Sequence, residues 1–174
     1  MAFENITVKF TGISPLLQNN PQMVDPFNHY AKLKTEEGLL AIRKIEVEAK
    51  VYLDNELGVY VPSRWVLAAI AKNSYAIVKI SKEKVRGAVL TVSDKCKLFY
   101  DGMEVVKTKE DISGNGRFVT LLLLPQQQSR VAKDAPIFHN WSFECELEFD
   151  NTIIDKADFG DFRPTYGRAL CEVI

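Results

Sequence analysis

Between Ile45 and Val78 the apolar residues change their period, and that change limits the chain to a mixed architecture. Ile45, Val47, Ala49, Val51 and Leu53 alternate with Glu46, Glu48, Lys50 and Tyr52. Alternation of this kind is the pattern of a strand with one face on a core and the other in water. Asp54 to Gly58 supplies a turn, Val59-Tyr60-Val61 returns, and Pro62 stops the run, so the sequence predicts a β-hairpin here. Ser63 then stands in the position of an N-cap. Val66, Leu67, Ile70, Ser74, Ile77 and Val78 recur at helical spacing. They predict a helix over Ser63–Val78, packed on a sheet through Val66, Ile70 and Ile77, with Ala68, Ala69 and Ala71 allowing close approach.

Other strands follow from the same alternation. Ile6, Val8 and Phe10 predict a first strand that Gly12 and Pro15 end, and Trp141, Phe143, Cys145, Leu147 and Phe149 predict a late one. Shorter strands are expected near Ala88–Val92, Lys97–Tyr100, Phe118–Leu124, Ser129–Ala132 and Ala169–Ile174. Lys107 to Arg117 holds Asp111, Gly114, Asn115 and Gly116 and predicts a loop. The stretch from Leu17 to Gly38 opens with Gln18-Asn19-Asn20-Pro21-Gln22 and is long for a connection. It is expected to reach out from the core, with Asp25-Pro26 starting a short helix or the whole forming an arm. Strands outnumber helices and no repeat or linker interrupts them, so one α+β domain over residues 1–174 is expected, an antiparallel sheet with helices on one face. Its hydrophobic fraction of 47% suits a folded chain of 174 residues.

Several functions find little footing. Cys96, Cys145 and Cys171 are far apart and form no Cys-x-x-Cys pair, so neither a disulfide framework nor a structural zinc site is expected. Cys145 and Cys171 lie among alternating apolar residues, as buried free thiols do. His29 and His139 have no neighbour at metal-ligand spacing. Asp150, Asp155, Asp158 and Asp161 resemble the carboxylate sets of divalent-metal sites, but in a turn-rich stretch such residues cap and solvate. Ser113-Gly114-Asn115-Gly116-Arg117 lacks the Gly-Lys-Ser/Thr of a phosphate loop. No catalytic set, cofactor or metal is expected. The N-terminus has neither a basic start nor an apolar core of a signal peptide, so a cytosolic location, in a bacterial host, is the expectation.

A formal net charge of −1 does not advertise a polyanion partner, so any such site must come from local clustering. Two clusters stand out. Arg163 and Arg168 flank Tyr166 and Gly167, with Phe159 and Phe162 nearby. A guanidinium pairs with phosphate, a ring stacks on a base, and a glycine lets a backbone approach, which is the make-up of a single-strand groove. The same residues also suit a turn whose aromatics plug the core. Lys79, Lys82, Lys84 and Arg86 form a run before Gly87 that serves as a phosphate-contacting lip or a solvated connection. Arg130 and Lys133 read the same way.

Three separated pieces carry a family likeness. Ile6-Thr7-Val8-Lys9-Phe10-Thr11-Gly12-Ile13-Ser14-Pro15-Leu16-Leu17 resembles the first strand and Ser/Thr-Pro-Leu turn of the RAMP (Cas7-like) proteins of CRISPR effector complexes. Val59-Tyr60-Val61-Pro62-Ser63 is similar to their strand–Pro–Ser–helix step. The segment Phe159 to Arg168 resembles their Gly-rich stretch before a final strand. The layout is also similar to that of small phage and prophage proteins, in Ser129-Arg130-Val131, Pro136-Ile137-Phe138, Trp141 and the late Gly-Asp-Phe-Arg-Pro-x-Tyr-Gly-Arg. The resemblance implies a modified ferredoxin-like, or RRM-like, core, single-strand binding by loops and a sheet edge, and head-to-tail assembly. Only Gly160 and Gly167 stand where that family carries more glycines, and the span from Phe149 to Gly160 is short for a second full helix. The expectation is a non-catalytic protein of phage type that binds single-stranded RNA or DNA and assembles along the strand as a homo-oligomer. The rivals are a phage protein that binds a host defence or replication protein, and a nuclease built on the late aspartates.

Overall fold

In the computed structural model, residues 2–20, 38–126, 129–161 and 169–174 are described, and the side chains of 38–41, 73, 124, 126 and 129–132 are not. In chain order the first elements are β1 (Phe3–Gly12), β2 (Leu16–Leu17), α1 (Gly38–Lys50), β3 (Leu53–Asp54) and β4 (Gly58–Pro62). Next come α2 (Arg64–Val78), α3 (Lys82–Ala88), β5 (Val89–Thr91) and β6 (Lys95–Phe99). A 3-10 turn (Met103–Val105), α4 (Lys109–Ser113) and a second 3-10 turn (Gly116–Phe118) lead to β7 (Val119–Gln126) and β8 (Ser129–Phe138). β9 (Ser142–Asp150), a third 3-10 turn (Lys156–Asp161) and β10 (Ala169–Val173) complete the chain. The protein is α+β, and its strand pairs are antiparallel. Two compact units form, one from residues 1–15, 60–101 and 139–174, the other from 16–59 and 102–138.

The first unit is built on a sheet in the order β10-β1-β9-β6-β4. β5 shares the far edge of β9 with β6, pairing at Val89↔Phe149 where β6 pairs at Leu98↔Phe143. Alternation puts Ile6, Val8, Phe10, Phe143, Cys145, Leu147 and Phe149 on one buried face. α2 buries Val66, Ile70, Ala71 and Ser74, at helical spacing, and lies against α3 and β5. Val66 and Ile70 contribute about 1.5–3 kcal/mol each by leaving water. Ser74 is satisfied inside, its hydroxyl donating to the Ala71 carbonyl at 2.9 Å. Ile77, expected as a third anchor, is only half-buried. Ser63 occupies the cap position but lies in helical geometry and caps nothing; its hydroxyl meets that of Thr91 at 3.2 Å instead.

Cys96 and Cys145 are buried, whereas Cys171, expected to be buried as well, is half-buried on the edge strand β10. The Cys145 thiol is pushed far above its ordinary range by its contact with Cys96 and by burial. Burial pushes the Cys171 thiol up to about 11, while its Sγ donates to the Phe159 carbonyl at 3.4 Å. The three cysteines are free.

The second unit corrects two expectations. Ile45–Leu53 is not a strand: α1 runs through Lys50, and only Leu53 and Asp54 pair, with Val59 and Gly58. The reason is that every second alternating position is also four residues away. Val47 and Val51 are buried as an i, i+4 pair, which satisfies either period. The polar residues decide between them, because Glu, Ala, Lys and Arg are strong helix formers and Arg43, Glu46 and Lys50 share the face turned to β8. Arg43 grips the buried Asp134 with Nε at 2.6 Å and Nη2 at 3.0 Å, a bidentate pair. Lys133 donates to Glu46 at 2.7 Å, and Lys50 donates to the Asp134 carbonyl. Burial lowers the Lys50 pKa, against the pull of Glu46.

Lys107–Arg117 is likewise no simple loop. Thr108 and Asp111 form a capping box that starts α4: the Thr108 hydroxyl accepts from Asp111 N at 3.3 Å and the Asp111 carboxylate accepts from Thr108 N at 2.7 Å. Hydrogen bonds from the backbone of Lys107 and Thr108 hold the Asp111 carboxyl below the usual range. The start of the expected arm is anchored. Leu16 and Leu17 pair with Phe138 and Ile137, and Gln18 is fully buried, its Oε1 accepting from Tyr52 N at 2.9 Å. Asn20 N donates to the Lys50 carbonyl at 3.0 Å. Asp25-Pro26 and the rest of the arm lie outside the described residues.

Candidate nucleic-acid interface

The Lys79–Arg86 run is set out by two helix ends. α2 stops at Lys79, which takes the left-handed conformation at φ 59°, a position that glycine fills at lowest cost. Ser81 is extended and caps α3, its hydroxyl accepting from Lys84 N at 3.4 Å. Within α3 only Val85 and Ala88 are buried. Lys82, Lys84 and Arg86 therefore stand in water, and no ion pair holds them among the described residues. Lys79 donates to the Ala76 carbonyl at 3.3 Å and sits 5.9 Å over the ring of Tyr75. That ring is 69% exposed, a large aromatic surface left in water beside cations. Residues 72 to 86 carry Lys72, Lys79, Lys82, Lys84 and Arg86 against the single carboxylate of Glu83, so a locally positive surface exists on a chain of net charge −1.

Lys79 also offers a check on the geometry. Replacing a non-glycine residue in left-handed backbone by glycine removes a steric cost of about 1–2 kcal/mol, less what glycine loses on ordering. Lys79→Gly is expected to raise stability by roughly 0.5–1 kcal/mol, read as a higher urea midpoint at unchanged slope. A lower midpoint would contradict the left-handed cap.

The open face of the first unit's sheet has the opposite character. Glu144, Glu146 and Glu148 project from β9, and register places Lys9, Thr7 and Asn5 of β1 beside them. Glu172 lies across from Lys9 on β10. The two central strands present no aromatic ring between Asn5 and Thr11 or between Ser142 and Glu148 on this face. At the edge, Lys95 lies 5.2 Å over Tyr60 and Lys97 5.6 Å over Phe99, so these lysines already have ring partners. A polyanion meets carboxylates in the middle of this sheet, and on the α2–α3 surface it meets Lys82, Lys84 and Arg86, exposed and without an ion pair among the described residues.

Lys133 belongs to the second unit and is engaged by Glu46. The backbone of Arg130 pairs with Pro125 in the β7–β8 hairpin, and its side chain is outside the description. Arg163, Tyr166, Gly167 and Arg168, with Phe162, lie outside the described residues. Phe159 is fully buried, 4.9 Å from Phe149 in an edge-to-face contact, so it packs the core and stacks on no base. Three of the late aspartates, Asp150, Asp155 and Asp158, serve turns. Asp150 is buried and accepts from the Thr152 hydroxyl at 2.6 Å and Thr152 N at 3.0 Å, which lowers its pKa. Asp155 and Asp158 cap the turn that follows. Among the described residues no group of three or more His, Cys, Asp or Glu side chains is placed to hold a metal ion.

Sequence reasoning singled out the lysine run but missed Tyr75. The helical spacing that buries Val66, Ile70 and Ser74 places Tyr75 on the outer side, and that much was readable. No family model, curated protein or solved structure was found to match this chain. None of the described helices is long and apolar enough to cross a membrane.

Proposed function

We propose that this chain is a non-catalytic protein that binds single-stranded nucleic acid through the α2–α3 surface. The observation that carries the reading is the set of exposed cations Lys82, Lys84 and Arg86, without an ion pair among the described residues, next to Lys79 and the exposed ring of Tyr75. Cations on such a surface contact phosphates and release counterions, and an exposed ring stacks on a base whatever its identity. The strand order gives the RAMP-like reading some support. β10-β1-β9-β6 sets the last strand beside the first and the third between the first and the second, the arrangement of a βαββαβ unit. Here the 3-10 turn Lys156–Asp161 stands between β9 and β10 where that unit has a second helix. The acidic centre of the sheet argues for binding by helix surface and loops rather than by the sheet face.

The test is fluorescence anisotropy with labelled single-stranded DNA and RNA at several salt concentrations. Wild type is expected to bind at low salt, with affinity falling steeply as salt rises. The combined change Lys82→Ser, Lys84→Ser, Arg86→Ser should flatten the slope of log K against log salt by about 2, since each phosphate contact on a single strand adds about 0.7. Tyr75→Ala should cost ~1–3 kcal/mol of binding with melting unchanged. Absence of binding to either strand at low salt would overturn the proposal and turn attention to a protein partner. Binding that the triple variant leaves unaltered would overturn the α2–α3 site.

A further inference from the structure

We propose that β7 is a self-association edge, joining two copies of this chain by antiparallel β7–β7 pairing. In the second unit the sheet runs β2-β8-β7, so β7 is terminal and its outer edge has no strand partner among the described residues. Edge strands are ordinarily protected by charge, by proline or by being short. β7 is eight residues long and reads Val119-Thr120-Leu121-Leu122-Leu123-Leu124-Pro125-Gln126, with no charged side chain. Leu121 is 51% and Leu123 57% exposed. They are two apart and so lie on one face of the strand. Pro125 lacks an N–H and ends the usable edge.

A second copy is the occupant that this edge fits. An uncharged strand pairs at least cost with another uncharged strand, and no other described strand of more than five residues in this chain lacks a charged side chain. A two-fold interface sets residue i against j and j against i. Centring the axis on Leu122 sets Leu121 against Leu123 of the other copy, and Leu123 against its Leu121. One register thus sets each exposed leucine beside one exposed leucine of the other copy, in two symmetry-related pairs. Thr120 falls opposite Leu124 and Pro125 stays outside the paired stretch. The strand pair alone is small beside an ordinary interface of about 1,200–2,000 Å², so the association is a weak, concentration-dependent dimer.

Sedimentation velocity over a wide concentration range tests this. The wild-type mass is expected to rise toward that of a dimer. Leu123→Lys should weaken association at least about ten-fold and leave thermal melting unchanged, because the side chain is already in water. Leu17→Lys, the same change on the opposite edge of the sheet, should leave the dimer intact. A wild type that stays monomeric throughout would overturn the proposal, as would a folded Leu123→Lys protein that dimerises as before, or equal loss in Leu17→Lys. Hydrogen exchange on the wild type gives a reading that needs no variant. The β7 amides that face the outer edge, Leu121 and Leu123, should gain protection as concentration rises, while Thr120, Leu122 and Leu124 already bond β8. Unchanged exchange at Leu121 and Leu123 would overturn the pairing.

Discussion

Gly12→Ala is expected to destabilise the first unit by about 2–4 kcal/mol, although it adds one methyl group. A Cβ built on Gly12 lies 2.2 Å from both Cε2 and Nε1 of Trp141. Real carbons do not approach so closely, so the indole must leave its place. It has little freedom to do so. Trp141 is buried, its Nε1 donates to the Ser14 carbonyl at 2.7 Å, and its carbonyl accepts from Gly12 N at 2.8 Å. The ring also stacks on Phe143 at 5.9 Å, which in turn stacks on Phe10 at 5.1 Å. Displacing it therefore costs the indole hydrogen bond and disturbs a row of three rings. A melting temperature lowered by about 5–15 °C is the expected reading, with loss of the part of the near-ultraviolet tryptophan signal that comes from Trp141 rather than Trp65. A variant that melts with wild type would show that Trp141 is free to move away, and would contradict this packing.

How far the sequence revealed this arrangement depends on whether a residue's pattern had one meaning. β1 and β9 alternate through residues such as Val8, Phe10, Phe143 and Phe149, whose type favours a strand as well as their spacing, and α2 was legible from Val66, Ile70 and Ser74. The stretch around Val47 and Val51 was not, because four residues are two strand repeats and about one helical turn. What settled it was Asp134, 91 residues from Arg43 along the chain, and no local pattern announces such a partner. The capping box of α4 was different, since Thr108 followed three residues later by Asp111 is a readable start signal that the nearby glycines obscured. Gln18 shows the limit on the polar side. A glutamine in a run with Asn19 and Asn20 looks solvated, and only the buried N–H of Tyr52 gives its side chain a reason to be inside. At the candidate interface the basic run was legible as charge. Its freedom from ion pairs and the carboxylates on the neighbouring sheet face became visible only once the strands were in register.

Phe159→Ala is expected to cost about 3–5 kcal/mol, the largest effect of any substitution considered for this chain. In sequence Phe159 stands close to Arg163 and Tyr166 and looks like part of the same aromatic and basic cluster. In the fold it has no exposed surface and meets Phe149, itself fully buried, at 4.9 Å with the rings at 63°. Truncation removes the ring from water-free surroundings and leaves a void between β9 and the 3-10 turn that carries it, both within the first unit. Neighbours on paired strands relax only in part, so the cost exceeds that of transferring the side chain alone. The experiment separates packing from binding. Urea unfolding should show a much lower midpoint for Phe159→Ala, while single-strand affinity, measured well below its melting temperature and corrected for the folded fraction, should match wild type. Tyr75→Ala should give the reverse, with stability kept and affinity lost. A stable Phe159→Ala protein that has lost its affinity would place the ring in the binding surface and contradict its burial here.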